Sequence, residues 1–138
     1  GMPRRMPLGL DYNRTMLILA VLEKRVGFKL TQKDVFLNLA GGIRVTDPAL
    51  DLSVIAAILS SNVDTPISRE VCMAGEVGLS GEIRPVARIE QRMSEAAKLG
   101  FKRMLVPRHN ARGRNRINND IEIVSVGKVE DALRELFG

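Results

Sequence analysis

Cysteine and histidine occur once each, tryptophan is absent, and aromatic side chains make up only 4% of the 138 residues. Each scarcity removes a class of explanation. A lone Cys72 closes no internal disulfide and cannot supply the ligand set of a structural zinc, so the chain is not a disulfide framework, and the cytoplasm is the expected compartment. With a single histidine, any Ser-His-Asp or Cys-His arrangement would have to pass through His109. That residue stands between Arg108 and Asn110 in an arginine-rich stretch that reads as a solvent-exposed loop. Metal binding is poorly provided for, because Cys72 and His109 are the only soft ligands and the acidic residues show no familiar ligand spacing. No G-x-x-x-x-G-K-[ST] loop is present, and Gly75, Gly78 and Gly81 do not form G-x-G-x-x-G. No cofactor is expected in this chain. The longest apolar run, Met16 to Leu22, is far short of the ~20 residues that cross a bilayer, and no leader with a small-residue cleavage site precedes it. Membrane insertion is not expected.

What remains is a sequence of one-domain length, 45% apolar and 27% charged, able to bury roughly two thirds of its unfolded surface without staples. Lysine and arginine number 21 against 16 acids, for a formal charge of +5. The excess is local. Between Phe101 and Asn119 stand Lys102, Arg103, Arg108, Arg112, Arg114 and Arg116 with no acid, leaving 15 cations against 16 acids elsewhere. Concentrated positive charge of this kind points to a polyanionic partner such as nucleic acid, or else to a solvated loop.

Gly1 reads as the remnant of a cleaved tag, and residues 1–9, with two prolines and two arginines, as a linker entering the domain of residues 10–138 from something upstream. Asp11 can cap a buried helix over Met16 to Leu22 that closes at Gly27. The spacing predicts strands over Asp34–Ala40 and Ile43–Thr46. Asp47-Pro48 is a strong helix start, since the carboxylate accepts from an orphan amide and proline at the first position loses no bond. That helix is expected to run to about Ser60 with Leu50, Val54, Ala57 and Ile58 inward. A strand over Glu70–Gly75, a hairpin over Glu76–Pro85, a helix over Ile89–Leu99 and a strand over Met104–Val106 follow. A strand over Ile121–Val126 and a terminal helix over Val129–Phe137 complete the pattern. Strands and helices mix as in an α+β (mixed α/β) domain. Cys72, inside an apolar strand, reads as a buried thiol with a raised pKa.

The most specific stretch is Gly75 to Pro107: G-E-V-G-L-S-G-E-I-R-P-V, a helix, A-A-K-L-G-F-K, then M-L-V-P. It resembles the second half of the Lon-type protease domain, matching without a gap. The resemblance implies a two-layer Lon-like fold with a mixed sheet packed by helices. It also implies a serine nucleophile in a D-G-P-S-A-G turn and a lysine base on the later helix. In this chain the turn is D-P-A-L-D-L, so Ala49 falls where the serine belongs, and the lysine position falls on Arg92. Alanine has no oxygen to attack a carbonyl, and a guanidinium with a pKa above ~12 cannot act as a base at neutral pH. Either replacement stops a Ser-Lys mechanism. An anion is expected beside Arg92, supplied by Asp47 or Asp51 within about 4 Å; a solvent-facing Arg92 is the bland alternative.

With both catalytic positions replaced, and entered through P-R-R-M-P-L-G-L-D-Y-N-R, the chain is similar to the C-terminal domain of the bacterial RadA (Sms) DNA repair family from Pro3 to about Leu136. The resemblance implies an upstream zinc-binding segment and a RecA-like ATPase, where ATP, magnesium and zinc would be held. It further implies hexameric rings of the full-length protein that bind DNA and drive branch migration. Arg103, Arg108, Arg112, Arg114 and Arg116 are the candidate DNA contacts. With Asn110, Asn115 and Asn118 able to donate to phosphates and no aromatic residue in Pro107–Asn119, duplex backbone is favoured over stacked single strands. The readings to be separated are a non-catalytic assembly and DNA-binding module, a Lon-type peptidase with a relocated dyad drawing on Ser53, Ser80 or Lys98, and a pure oligomerisation domain.

Overall fold

The computed structural model describes residues 17, 18, 20, 21, 25, 47–111 and 120–138. Most of the expected first helix, the strands over 34–40 and 43–46, the linker at 1–9, and Arg112, Arg114 and Arg116 lie outside the described residues.

Asp47 caps the first described element as its sequence predicts. Its carboxylate accepts from the Ala49 amide at 3.0 Å, and Pro48 occupies the first helical position. The chain makes one tight 3-10 turn, Pro48–Leu50, and then becomes α1, Asp51–Val63. Asp64, in the left-handed conformation, ends it by returning its amide to the Ser60 carbonyl. The tight turn accounts for a correction. Leu50 belongs to the 3-10 turn and is out of phase with the α-helix, so it faces outward; Ala57 lies on the exposed face of α1, while Leu52, Ile55 and Ala56 are fully buried. Val54 and Ile58 are buried as expected.

Three parallel strands follow: β1 (Val71–Met73), β4 (Arg103–Pro107) and β5 (Glu122–Val126), with β4 in the centre. Val71 lies opposite Arg103, and Arg103 opposite Glu122. Between β1 and β4 the chain inserts an antiparallel hairpin, β2 (Glu76–Val77) with β3 (Ile83–Arg84), and then α2 (Ile89–Lys98). The hairpin turns through Gly81 at φ 83°, a conformation that glycine adopts without strain. It is seated on the C-terminal segment, the Ile83 amide donating to the Gly127 carbonyl and the Val129 amide to that of Gly81, both at 2.9 Å. After β4 comes α3, Arg108–Ala111, a single helical turn where the sequence reads as loop, and after β5 comes α4, Val129–Phe137.

Parallel strands bury both faces, because their crossovers lay helices over them. Within β4, Leu105 joins a core with Leu52, Ile55, Ile58 and Leu133, while Met104 and Val106 join a second core with Ile89, Met93 and Ala96. The alternation is the period-2 pleat of a strand. The fold is α+β with a mixed set of parallel and antiparallel strands, as expected. α2 packs Ile89, Met93 and Ala96 against Met104 and Val106 of β4.

Truncating the fully buried central-strand Leu105 to Ala should destabilise the domain by roughly 2–5 kcal/mol. The same change at Leu99, 72% exposed at the end of α2, should stay within about 0.5 kcal/mol. Urea unfolding of the two variants checks both values, and similar losses would contradict the placement of β4.

Candidate functional site

The turn that carries Ala49 is tied to the end of β1 by backbone as well as side chain. The Gly75 amide donates to the Ala49 carbonyl at 2.9 Å, and the Leu52 amide donates to the Gly75 carbonyl at 3.1 Å. One residue beyond, the Asp51 carboxyl, fully buried, accepts from the Val77 amide at 3.0 Å. A carboxyl in the first turn of a helix faces the positive end of the peptide dipoles, which offsets part of its desolvation. Ala49 itself is buried, so its methyl group packs into the body.

Arg92 comes to the same turn from α2. Its Nη2 lies 3.4 Å from Asp47 Oδ2, and its Nε donates to the Ala87 carbonyl at 2.8 Å. Asp47 therefore spans both positions, one oxygen taking the Ala49 amide and the other meeting Arg92. Of the two carboxylates expected beside Arg92, Asp47 is the partner. Asp51 is directed inward to Val77 instead, because it is the first residue of α1 and Asp47 precedes the turn. The pair is partly solvated, Arg92 being 31% and Asp47 50% exposed, so its net worth is small.

A third side chain grips the same loop. Asn110, on α3, accepts from the Val86 amide through Oδ1 at 2.7 Å and donates through Nδ2 to the Val86 carbonyl at 3.1 Å. Asn110, expected as a phosphate donor, gives its amide oxygen and one N–H to the Val86 backbone. Nothing in the sequence marks it, since the two partners are 24 residues apart. Val86 and Ala87 are thus held from two sides, by Asn110 and by Arg92.

The candidate DNA-contacting arginines that are described do not form one cluster. Arg103, at the start of β4, has Nη2 2.7 Å from Glu135 and Nε 3.4 Å from Glu122. Arg108 follows the other end of the strand, about 16 Å away at ~3.3 Å per residue. Its guanidinium lies over Gly127, where a Cβ would come within 2.8 Å of it, and stands 4.0 Å from Asp131. Arg108 is 62% exposed and remains open to solvent. His109 is exposed on α3, Ser80 is exposed in the hairpin turn, Ser53 is half-buried on α1, and Lys98 is exposed at the end of α2. Cys72 is half-buried, with its thiol within 3.7 Å of the Arg103 carbonyl, and burial pushes its pKa up. Among the described residues no group of three or more His, Cys, Asp or Glu could hold a metal ion. No described helix is long and apolar enough to cross a membrane.

The buried Asp51 carboxyl and the Arg92–Asp47 ion pair should differ sharply in energetic weight. Asp51→Ala leaves the Val77 amide without that acceptor and should cost roughly 1–3 kcal/mol, whereas Arg92→Ala should cost less than about 1 kcal/mol. Equilibrium unfolding checks the order; a reversed order would contradict the buried role of Asp51.

With the geometry in place, comparison with known proteins is informative. The model of the family described as "ChlI: Subunit ChlI of Mg-chelatase" matches residues 14–110. The chain is 51% identical over 138 residues to the DNA repair protein RadA of Bacillus subtilis, covering all of this chain and 30% of that protein. It is 49% identical to RadA of Listeria monocytogenes, covering 98% of this chain and 29% of that protein. RadA of Streptococcus pneumoniae is 45% identical, with 99% and 32% covered. The chain thus spans about a third of the length of these relatives, and the match is to their C-terminal part. The chain belongs to the family of that ChlI-described model, and its resemblance to the C-terminal domain of RadA proteins is borne out over its full length.

Proposed function

We propose that this chain is the non-proteolytic, Lon-like C-terminal domain of a RadA-type DNA repair protein, serving as a ring-assembly scaffold and as a DNA-contacting module. The observation that carries the reading is the pair of side chains at the turn before α1. Where the protease resemblance calls for a nucleophile there is a buried methyl group, Ala49, and where it calls for a base there is a guanidinium ion-paired to Asp47. The turn, its cap and its strand contacts persist without an attacking atom, and a scaffold can outlive its site in this way. On this reading the chain is not an enzyme. ATP hydrolysis, with its magnesium, and any zinc belong to the portions of RadA-type proteins that this chain does not span. Its partners are copies of itself, in hexameric rings of the full-length protein, and DNA; the compartment is the cytoplasm.

The basic segment supports the DNA contact. The ChlI-described match stops at residue 110, immediately before Arg112, Arg114 and Arg116, while the similarity to RadA continues through them. The arginine run therefore lies within the span that matches RadA proteins and outside the part matched by the family model. Six cations without an acid between Phe101 and Asn119, and no aromatic residue in Pro107–Asn119, suit the sugar-phosphate backbone of a duplex. Arg103 contributes least to such a contact, since Glu122 and Glu135 already offset its charge. That engagement favours one second reading, an oligomerisation domain that touches no DNA.

Duplex titration across salt concentrations separates the two. Replacing Arg112, Arg114 and Arg116 together by Ala should weaken binding alike on unrelated sequences and reduce the slope of log K against log salt by up to about three. Unchanged affinity in that variant would remove the segment from the interface and leave the oligomerisation reading.

A further inference from the structure

α3 is four residues long, too short to hold itself in helical form in water. What holds it is visible. Its Asn110 lays a side-chain amide alongside the Val86 backbone, one bond in each direction at 2.7 and 3.1 Å, as a neighbouring strand would pair. The gripped loop is itself fixed one residue on, where Arg92 takes the Ala87 carbonyl and reaches Asp47. A chain of contacts therefore runs from the turn bearing Ala49, through Asp47, Arg92 and the Val86–Ala87 backbone, to the helix that carries Arg108.

We infer that Asn110 is a positioning residue: it docks α3 on the Val86 backbone and thereby sets the direction in which Arg108 faces a DNA duplex. The inference rests on the DNA-contacting role proposed above. The amide group is suited to the task because it carries a donor and an acceptor side by side, matching the paired N–H and C=O of one residue. Alanine offers neither. Aspartate keeps the acceptor for the Val86 amide and sets a second oxygen against the Val86 carbonyl. Asn110 is only part-buried and itself carries no charge, so its loss should loosen α3 without removing a phosphate contact. A looser cation must be ordered on binding, which weakens affinity while leaving the number of ions released unchanged.

The test uses the whole chain with Asn110→Ala and Asn110→Asp, read by amide hydrogen exchange and by duplex titration across salt. In Asn110→Ala, exchange of the Val86 amide should accelerate about tenfold or more, while the central amides of Leu105 and Val106 keep their wild-type protection. In Asn110→Asp, the Val86 amide should exchange at a rate between wild type and Asn110→Ala, because its acceptor is retained while the second oxygen repels the Val86 carbonyl. Duplex affinity of Asn110→Ala should fall about tenfold with an unaltered salt slope, since ordering costs and not charges have changed. A purely structural role would leave duplex affinity at the wild-type value; loss of a phosphate contact would lower the slope by about one. Three results overturn the inference. The first is unchanged Val86 exchange in Asn110→Ala. The second is wild-type affinity in that variant although the triple Arg112, Arg114, Arg116 variant binds weakly. The third is a lowered salt slope. If the wild-type chain binds no duplex, the DNA-contacting reading fails and the positioning role fails with it, while faster Val86 exchange would leave Asn110 as a structural anchor alone.

Discussion

Two backbone hydrogen bonds, Gly75 amide to Ala49 carbonyl and Leu52 amide to Gly75 carbonyl, lash the start of α1 to the end of β1. The buried Asp51 carboxyl adds a third tie through Val77. Without this junction the sheet would close only against the apolar sides of its helices, leaving the turn before α1 free to choose its position. With it, Asp47 and Ala49 are fixed relative to the hairpin, Arg92 finds its carboxylate, and the Val86–Ala87 loop acquires a rigid neighbour. A Cβ added at Gly75 would come within 2.8 Å of Ile83 and meet Leu52 at 3.5 Å, so the junction also requires that residue to have no side chain.

Much of this frame is legible in the sequence because the governing signals are local. Asp47-Pro48 encodes its own cap, Gly81 its turn, and Ile89, Met93 and Ala96 the inward stripe of α2 at helical spacing. The reading fails where a single residue shifts phase. Leu50 looks like the first apolar position of a helix and is instead held in a 3-10 turn, which moves it outward. The helical turn after Pro107 is missed for a different reason. Its stability comes from Asn110 meeting Val86 across 24 residues, and no pattern within Arg108–Ala111 announces that contact. The Arg92–Asp47 pair spans 45 residues and is foreseeable only because a family resemblance supplies the register; composition and periodicity would have left Arg92 as one more surface cation.

The charges divide into two kinds. Arg103, Arg84, Arg134 and Arg92 are each within 3.4 Å of a carboxylate and serve mainly to order the surface. Their pairs cross β4 to β5 and α4, stitch the hairpin, run along α4, or bridge α2 to the turn. Arg108 is held only loosely, at 4.0 Å from Asp131, and stands at the carboxyl end of the central parallel strand, the end at which open parallel sheets present their ligands. On the proposed reading, the turn that carries Ala49 is a former catalytic corner held by the Arg92–Asp47 ion pair, and Arg108 stands on the helical turn that precedes the basic residues in sequence. The loop between β3 and α2 joins the two, gripped by Arg92 on one side and Asn110 on the other.

The central claim of the proposed function is that this domain holds no activated nucleophile. Its most direct test is prolonged exposure of the intact chain to a fluorophosphonate, followed by mass spectrometry of the digested protein. The account predicts an unmodified mass, with Ser53 and Ser80 recovered unlabelled from neutral to alkaline pH. A stoichiometric adduct on any one serine would show a working nucleophile and contradict it.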